Sequence, residues 1–136
     1  MGAWSHEPFG NDTASDWKYG LEATTDLSLI EETLDRVLAI GEDYLESPQA
    51  EEAVAAADAL ARLVDPDNGE LEPVELVDAW AANINFKPSH ELLQKAQAAL
   101  NRILSENSEL LELWQESNSF DAWAGSINSL MDRLSA

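Results

Sequence analysis

Ser47-Pro48-Gln49-Ala50-Glu51-Glu52-Ala53-Val54-Ala55-Ala56-Ala57-Asp58-Ala59-Leu60-Ala61-Arg62-Leu63-Val64 is the stretch that decides the fold class. Serine before proline is a helix start, because proline at the first helical position lacks only an N–H that has no intrahelical partner. Ala53, Val54, Ala57, Leu60, Ala61 and Val64 then recur at three- and four-residue spacing, the stripe of a helix with a buried face. Alanine dominates that stripe. Small side chains on a buried face imply close approach of a neighbouring element.

Upstream, Ile30, Leu34, Val37, Leu38, Gly41 and Leu45 form a second stripe. Ser28-Leu29-Ile30-Glu31 reads as its capping box, with Thr25 or Asp26 as alternative starts. Asn11 or Asp12 caps a shorter helix running to about Tyr19, where Gly20 weakens it. Downstream, Asp65-Pro66-Asp67-Asn68-Gly69 is a turn by composition, and Pro73 opens a helix with Leu76, Val77 and Trp80. Pro88-Ser89 breaks and recaps the chain ahead of Leu92, Leu93, Ala96, Leu100, Ile103 and Leu104. Ser108 caps a short helix with Leu110, Leu111, Leu113 and Trp114. Ser119 starts the last one, with Phe120, Trp123, Ile127, Leu130, Met131 and Leu134 inward. No segment alternates with the period of a strand. The expected fold is all-α: a compact bundle of about seven helices, with an irregular N-terminal segment packed on it, in one domain over residues 1–136.

A chain of 136 residues with 45% hydrophobic and 25% charged residues can bury a core unaided, which argues against global disorder. The absence of cysteine excludes disulfides, thiolate nucleophiles and Cys-ligated metal sites, and fits a reducing compartment. No apolar run approaches a membrane span, and the first residues lack the pattern of a secretory signal, so a cytoplasmic protein is expected.

The outlying property is charge. There are 27 acidic against seven basic residues, net −20. The acids are spread along the chain, 11 in residues 1–47, nine in 48–88 and seven in 89–136, so this is no acidic tail. Nucleic acid and anionic membranes would be repelled, whereas a cationic partner would be steered in.

No catalytic constellation emerges. The two histidines, His6 and His90, have no nucleophile-elbow sequence to serve, carboxylates are too abundant for any pair to stand out, and no phosphate-cradling glycine loop occurs. The closest approach to a metal motif is Asp65, Asp67, Asn68, Gly69 and Glu75, between two helices. A calcium loop needs glycine at its sixth position and a bidentate glutamate at its twelfth. Gly69 and Glu75 each fall one residue short, and Pro66 stiffens the loop. An acidic connection between helices is the better reading, so no metal, cofactor or catalytic residue is assigned. The aromatics Trp4, Phe9 and Trp17 read as packing that pins the N-terminal segment to the bundle.

Two acidic faces do stand out. Glu109, Glu112 and Glu116 recur along one side of the short helix, opposite Leu110, Leu113 and Trp114. Glu31, Asp35 and Glu42 run along the first long helix with Glu32 beside them and Arg36 as the one offset. Like charges at such spacings cost a few tenths of a kcal/mol per pair. Solubility or a salt-rich cytoplasm would account for them. The sharper reading is a docking surface whose repulsion is relieved by a basic partner. Glu31, Glu32, Asp35, Asp65, Asp67, Glu109, Glu112 and Glu116 are the candidate contacts.

Met1-Gly2-Ala3-Trp4, Pro8-Phe9, Asn11-Asp12, Ala14 and Asp16-Trp17 resemble the opening of a bacterial family, domain-of-unknown-function family 4259. The resemblance continues through Tyr44-Leu45-Glu46, the alanines from Ala53 to Ala61, Ser108-Glu109-Leu110-Leu111-Glu112-Leu113-Trp114 with Glu116-Ser117, then Trp123 and Arg133-Leu134. Ser5, His6 and Gly10 depart from the pattern, and residues 65–88 are individual to this chain. The resemblance implies a stand-alone helical bacterial protein of the cytoplasm and brings no catalytic residues with it. The expected function is a non-catalytic binding protein, an immunity protein (antitoxin) that caps the active site of a basic toxin such as a nuclease. The alternative is an acidic nucleic-acid mimic or regulatory adaptor bound to a DNA-binding protein. An enzyme would need a polar pocket that the sequence does not announce.

Overall fold

The computed structural model describes residues 11–64, 74–84 and 87–135. Within them the chain forms seven helices: α1 (Asp12–Glu22), α2 (Ser28–Ile40), α3 (Ser47–Val64), α4 (Glu75–Asn83), α5 (His90–Ile103), α6 (Glu109–Gln115) and α7 (Phe120–Leu134). No strand occurs among the described residues; one isolated parallel bridge joins Leu45 to Ser108. The expected all-α bundle is therefore what the chain builds. Residues 1–10, with the expected packing of Trp4 and Phe9, and residues 65–73, with candidate contacts Asp65 and Asp67, lie outside the described residues. None of the described helices is long and apolar enough to cross a membrane.

Helix α3 is the axis of the bundle and packs against all six other helices. Its ten consecutive residues Ala53–Arg62 are all buried. At 100° per residue, such a run covers the whole circumference, so no face is left for water. Alanine makes this feasible, since neighbouring helices approach its backbone closely. The stripe read from the sequence was therefore too narrow, and two charged residues, Asp58 and Arg62, lie inside the core at 1% and 5% exposure. They pair at i,i+4, and Arg62 Nη1 also donates to Asp78 Oδ1 at 2.8 Å on α4. Asp78 Oδ2 in turn accepts from the Val74 N–H, which ties the start of α4 to the axis.

Several caps follow the sequence. Asn11 Oδ1 accepts from the Ala14 N–H at 2.7 Å, Ser89 Oγ from Leu92 and Ser108 Oγ from Leu111. Others differ. Helix α1 continues past Gly20 to Glu22, because Leu21 is needed in the core. The Ser28–Glu31 capping box does not form: Ser28 is already helical, and Asp26 Oδ1 accepts from both its N–H and its hydroxyl. Ser119 precedes α7 without a side-chain cap bond. Helix α2 stops at Ile40, so Gly41 and Leu45 belong to the following loop; Leu45 is nevertheless fully buried.

Two tryptophans fix the packing of α1. Trp17 Nε1 donates to Thr33 Oγ1 at 3.0 Å, and that hydroxyl donates to the Leu29 carbonyl. Trp80 Nε1 donates to Thr24 Oγ1 at 3.2 Å, and Thr24 donates to the Leu21 carbonyl. Each buried indole N–H is thereby satisfied, as its desolvation requires.

Candidate functional site

The loop after α2 and the loop before α6 are stitched into one unit. The Leu45 N–H donates to the Asn107 carbonyl at 2.7 Å, and the Glu109 N–H donates to the Leu45 carbonyl at 2.9 Å. Leu45 and Ser108, both fully buried, nail this double loop to the core. Its turns need left-handed backbone at two places, Gly41 at φ 63° and Asn107 at φ 61°. Glycine and asparagine are the residues that adopt it at least cost.

Arg102 closes the unit. Its Nε donates to the Gly41 carbonyl at 2.7 Å, Nη1 to Glu106 at 3.0 Å, and Nη2 to Asp43 at 2.6 Å and Asn107 at 3.2 Å. Asn107 Nδ2 adds a bond to the Glu42 carbonyl. The guanidinium's fixed fork suits several carbonyls converging from two loops. Because these bonds go to main chain, Arg102 forms no ion pair with the acids around it among the described residues.

Those acids are numerous. Glu42, Asp43, Glu46, Glu106, Glu112 and Glu116 are exposed and Glu109 is half-buried. Among the described residues none of them forms an ion pair. Tyr44 stands beside Glu46, Glu109 and Glu112, 48% exposed, one of two large hydrophobic side chains so displayed among the described residues. Its hydroxyl donates to Glu112 Oε1 at 2.8 Å. That bond, with the charges of Glu112, Glu109 and Glu46, pushes its phenol up to about 12. Glu109 Oε1 accepts from the Ser47 N–H at 2.7 Å and so covers the N-terminus of α3. Nearby, Glu51 is held above the usual carboxylate range by partial burial, with Asp12 and Glu109 adding to it and a bond to Thr13 opposing it.

The other acidic face is different. Lys95 Nζ lies 2.8 Å from Glu31 Oε2 and 2.9 Å from Asp35 Oδ1, clasping α2 to α5, and Arg36 lies 3.7 Å from Glu52 on α3. Glu32 is exposed on the same helix. The structure thus brings Glu109 and Glu112 together at the double loop, with Glu116 at the end of the same short helix. It places Glu31, Glu32 and Asp35 on a separate face whose acids are partly neutralised. Sequence reading missed Tyr44 and Arg102. Gly41 and Asn107 were the available signal for two tight turns, but nothing in the spacing said that the turns meet.

Several of the residues that carried the family resemblance have scaffold roles, while Tyr44, Glu109, Glu112 and Glu116, which also carried it, lie at the double loop. Asn11 and Ser108 are caps, Trp17 bonds Thr33, and Trp114 stacks on Trp123 with ring centroids 6.0 Å apart and planes 6° from parallel. No curated protein and no solved structure matches the chain. A family model does, over residues 2–126, and the chain belongs to that family, described as a domain of unknown function (DUF4259).

Proposed function

We propose that the protein is a non-catalytic inhibitor of a basic protein, an immunity protein that neutralises a bacterial toxin such as a nuclease by covering its cationic active site. The observation that carries this reading is the double loop: an exposed tyrosine held by a carboxylate, among acids that form no ion pair with any described residue, on a backbone clamped by Arg102. Tyrosine is a favoured interface anchor, since it contributes large contact area at low entropic cost. A clamped backbone reduces the ordering cost of binding. Acids without partners attract a polycationic surface and accelerate encounter. A nuclease site is such a surface, because its substrate is a polyanion.

The test is to co-express the protein with each basic, nuclease-like product encoded by a neighbouring gene, followed by copurification and a nuclease assay; absence of any such neighbour would itself count against the proposal. The expected result is a stable complex without nuclease activity, and loss of inhibition in Tyr44→Ala. A toxin that neither copurifies nor is inhibited would end the proposal.

A further inference from the structure

A second feature lies away from the double loop. The C-terminal ends of α1 and α4 border a cleft of about 450 Å³, lined by Glu22, Thr24, Leu76, Ala79, Trp80, Asn83 and neighbouring residues. That volume is within the range of small-molecule sites, roughly 300–1,000 Å³. Trp80, Leu76 and Ile84 give it an apolar wall, and Glu22 contributes a carboxylate. Three of the side-chain donors in the lining, which also includes Thr25, are already used: Thr24 Oγ1 donates to Leu21, Trp80 Nε1 to Thr24, and Asn83 Nδ2 to the Ala79 carbonyl. The one charged group in the described lining, the Glu22 carboxylate, is acceptor-only.

The helix ends add to this. A helix C-terminus carries partial negative charge and commonly recruits a cation to its last turn. Helices α3, α5 and α7 have Arg62, Arg102 and Arg133 there. Helix α2 has none of its own, but Arg102 reaches the Gly41 carbonyl at its end. Short α6 has none. Helices α1 and α4 also have none, and both end at the cleft, where the charged residue is another acid. Lys87, the cation that follows α4 in sequence, does not line it.

We propose that this cleft binds a small organic monocation, an ammonium or guanidinium on a short apolar body. The head sits at Glu22 and the two helix ends, and the body lies against Trp80, Leu76 and Ile84. This site is independent of the toxin-inhibitor reading, and either can fail without the other.

Three probes of similar size test it: phenethylammonium, phenethyl alcohol and phenylacetate, titrated while the Trp80 indole N–H is followed by NMR. Glu22 and Ala79 are both exposed, so Glu22→Gln and Ala79→Leu leave the fold in place. The ammonium alone is expected to shift the Trp80 signal in a saturable way. Glu22→Gln should weaken it about 10-fold, the scale of one charge-assisted bond. Ala79→Leu, which fills the cleft without altering charge, should abolish the shift. The proposal is overturned if the alcohol binds as tightly as the ammonium, if no probe shifts Trp80, or if the response survives Ala79→Leu. The last result would mean diffuse attraction to a chain of net charge −20.

Discussion

The α2 face and the double loop are both clusters of acid, yet their chemistry is different. On α2, Glu31 and Asp35 share Lys95, which arrives from α5 across 64 positions of sequence from Glu31. At the double loop, Arg102 also arrives from α5, but its donors go to four carbonyls, and among the described residues the carboxylates there have no counter-ion. One face uses its cation to neutralise acids, and the other uses its cation to hold backbone. Acidic spacing on a helix therefore identifies neither a clasp nor a docking surface. What decides is where the few cations of the tertiary structure point.

Both faces are mounted on α3, so the largest effect should come from breaking the pair inside it. Asp58→Ala leaves Arg62 in the core without its buried carboxylate, and unfolding measurements should show a loss of about 3 kcal/mol or more. That is a large share of the 5–15 kcal/mol typical of a domain. Next comes Arg102→Ala, expected to cost about 2–3 kcal/mol, because several charge-assisted bonds to carbonyls are lost together. Its amide exchange should rise at residues 41–46 and 105–109 but not on α2. By contrast Lys95→Met, on the face of exposed ion pairs, should cost about 1 kcal/mol or less.

The smallest effect is a titration. Tyr44 is expected to ionise near 12, above its ordinary value of 10.0, and Glu112→Gln should bring it down toward that value. Tyrosinate absorbance compared with Tyr44→Phe isolates it from Tyr19. Since the folded state favours the protonated phenol, this contribution is complete below pH 10.0 and is lost as pH rises through about 12. A normal Tyr44 titration would mean that the bond to Glu112 is not kept in solution.

Much of the fold was legible because it rests on local rules. Serine and asparagine caps, proline starts and three-four spacing found the helices, and Ser89, Ser108 and Asn11 act as read. The depth of α3 was underread, although its signal was present: between Ala53 and Val64 the only charged residues are Asp58 and Arg62, four apart, so the helix has no polar face to offer water. The candidate site was legible in part. Glu109 and Glu112 were singled out by charge, but Tyr44 joins them only because two loops distant in sequence pair through Leu45, Asn107 and Glu109. Such pairing is a property of the packed bundle, and helix periodicity carries no record of it.

The central claim is that the double loop, and not the α2 face, meets a basic partner. The decisive measurement is the association rate constant with the basic protein that copurifies, taken against ionic strength for two variants of equal charge change. Glu109→Gln, Glu112→Gln and Glu116→Gln together keep the acceptors for Ser47 and Tyr44 while removing charge. Glu31→Gln, Glu32→Gln and Asp35→Asn remove as much from α2. The expected result is a steep fall of the wild-type rate with salt, a slower double-loop variant with a shallower salt dependence, and an α2 variant close to wild type. Equal slowing by both variants, greater slowing by the α2 variant, or a wild-type rate indifferent to salt would contradict it.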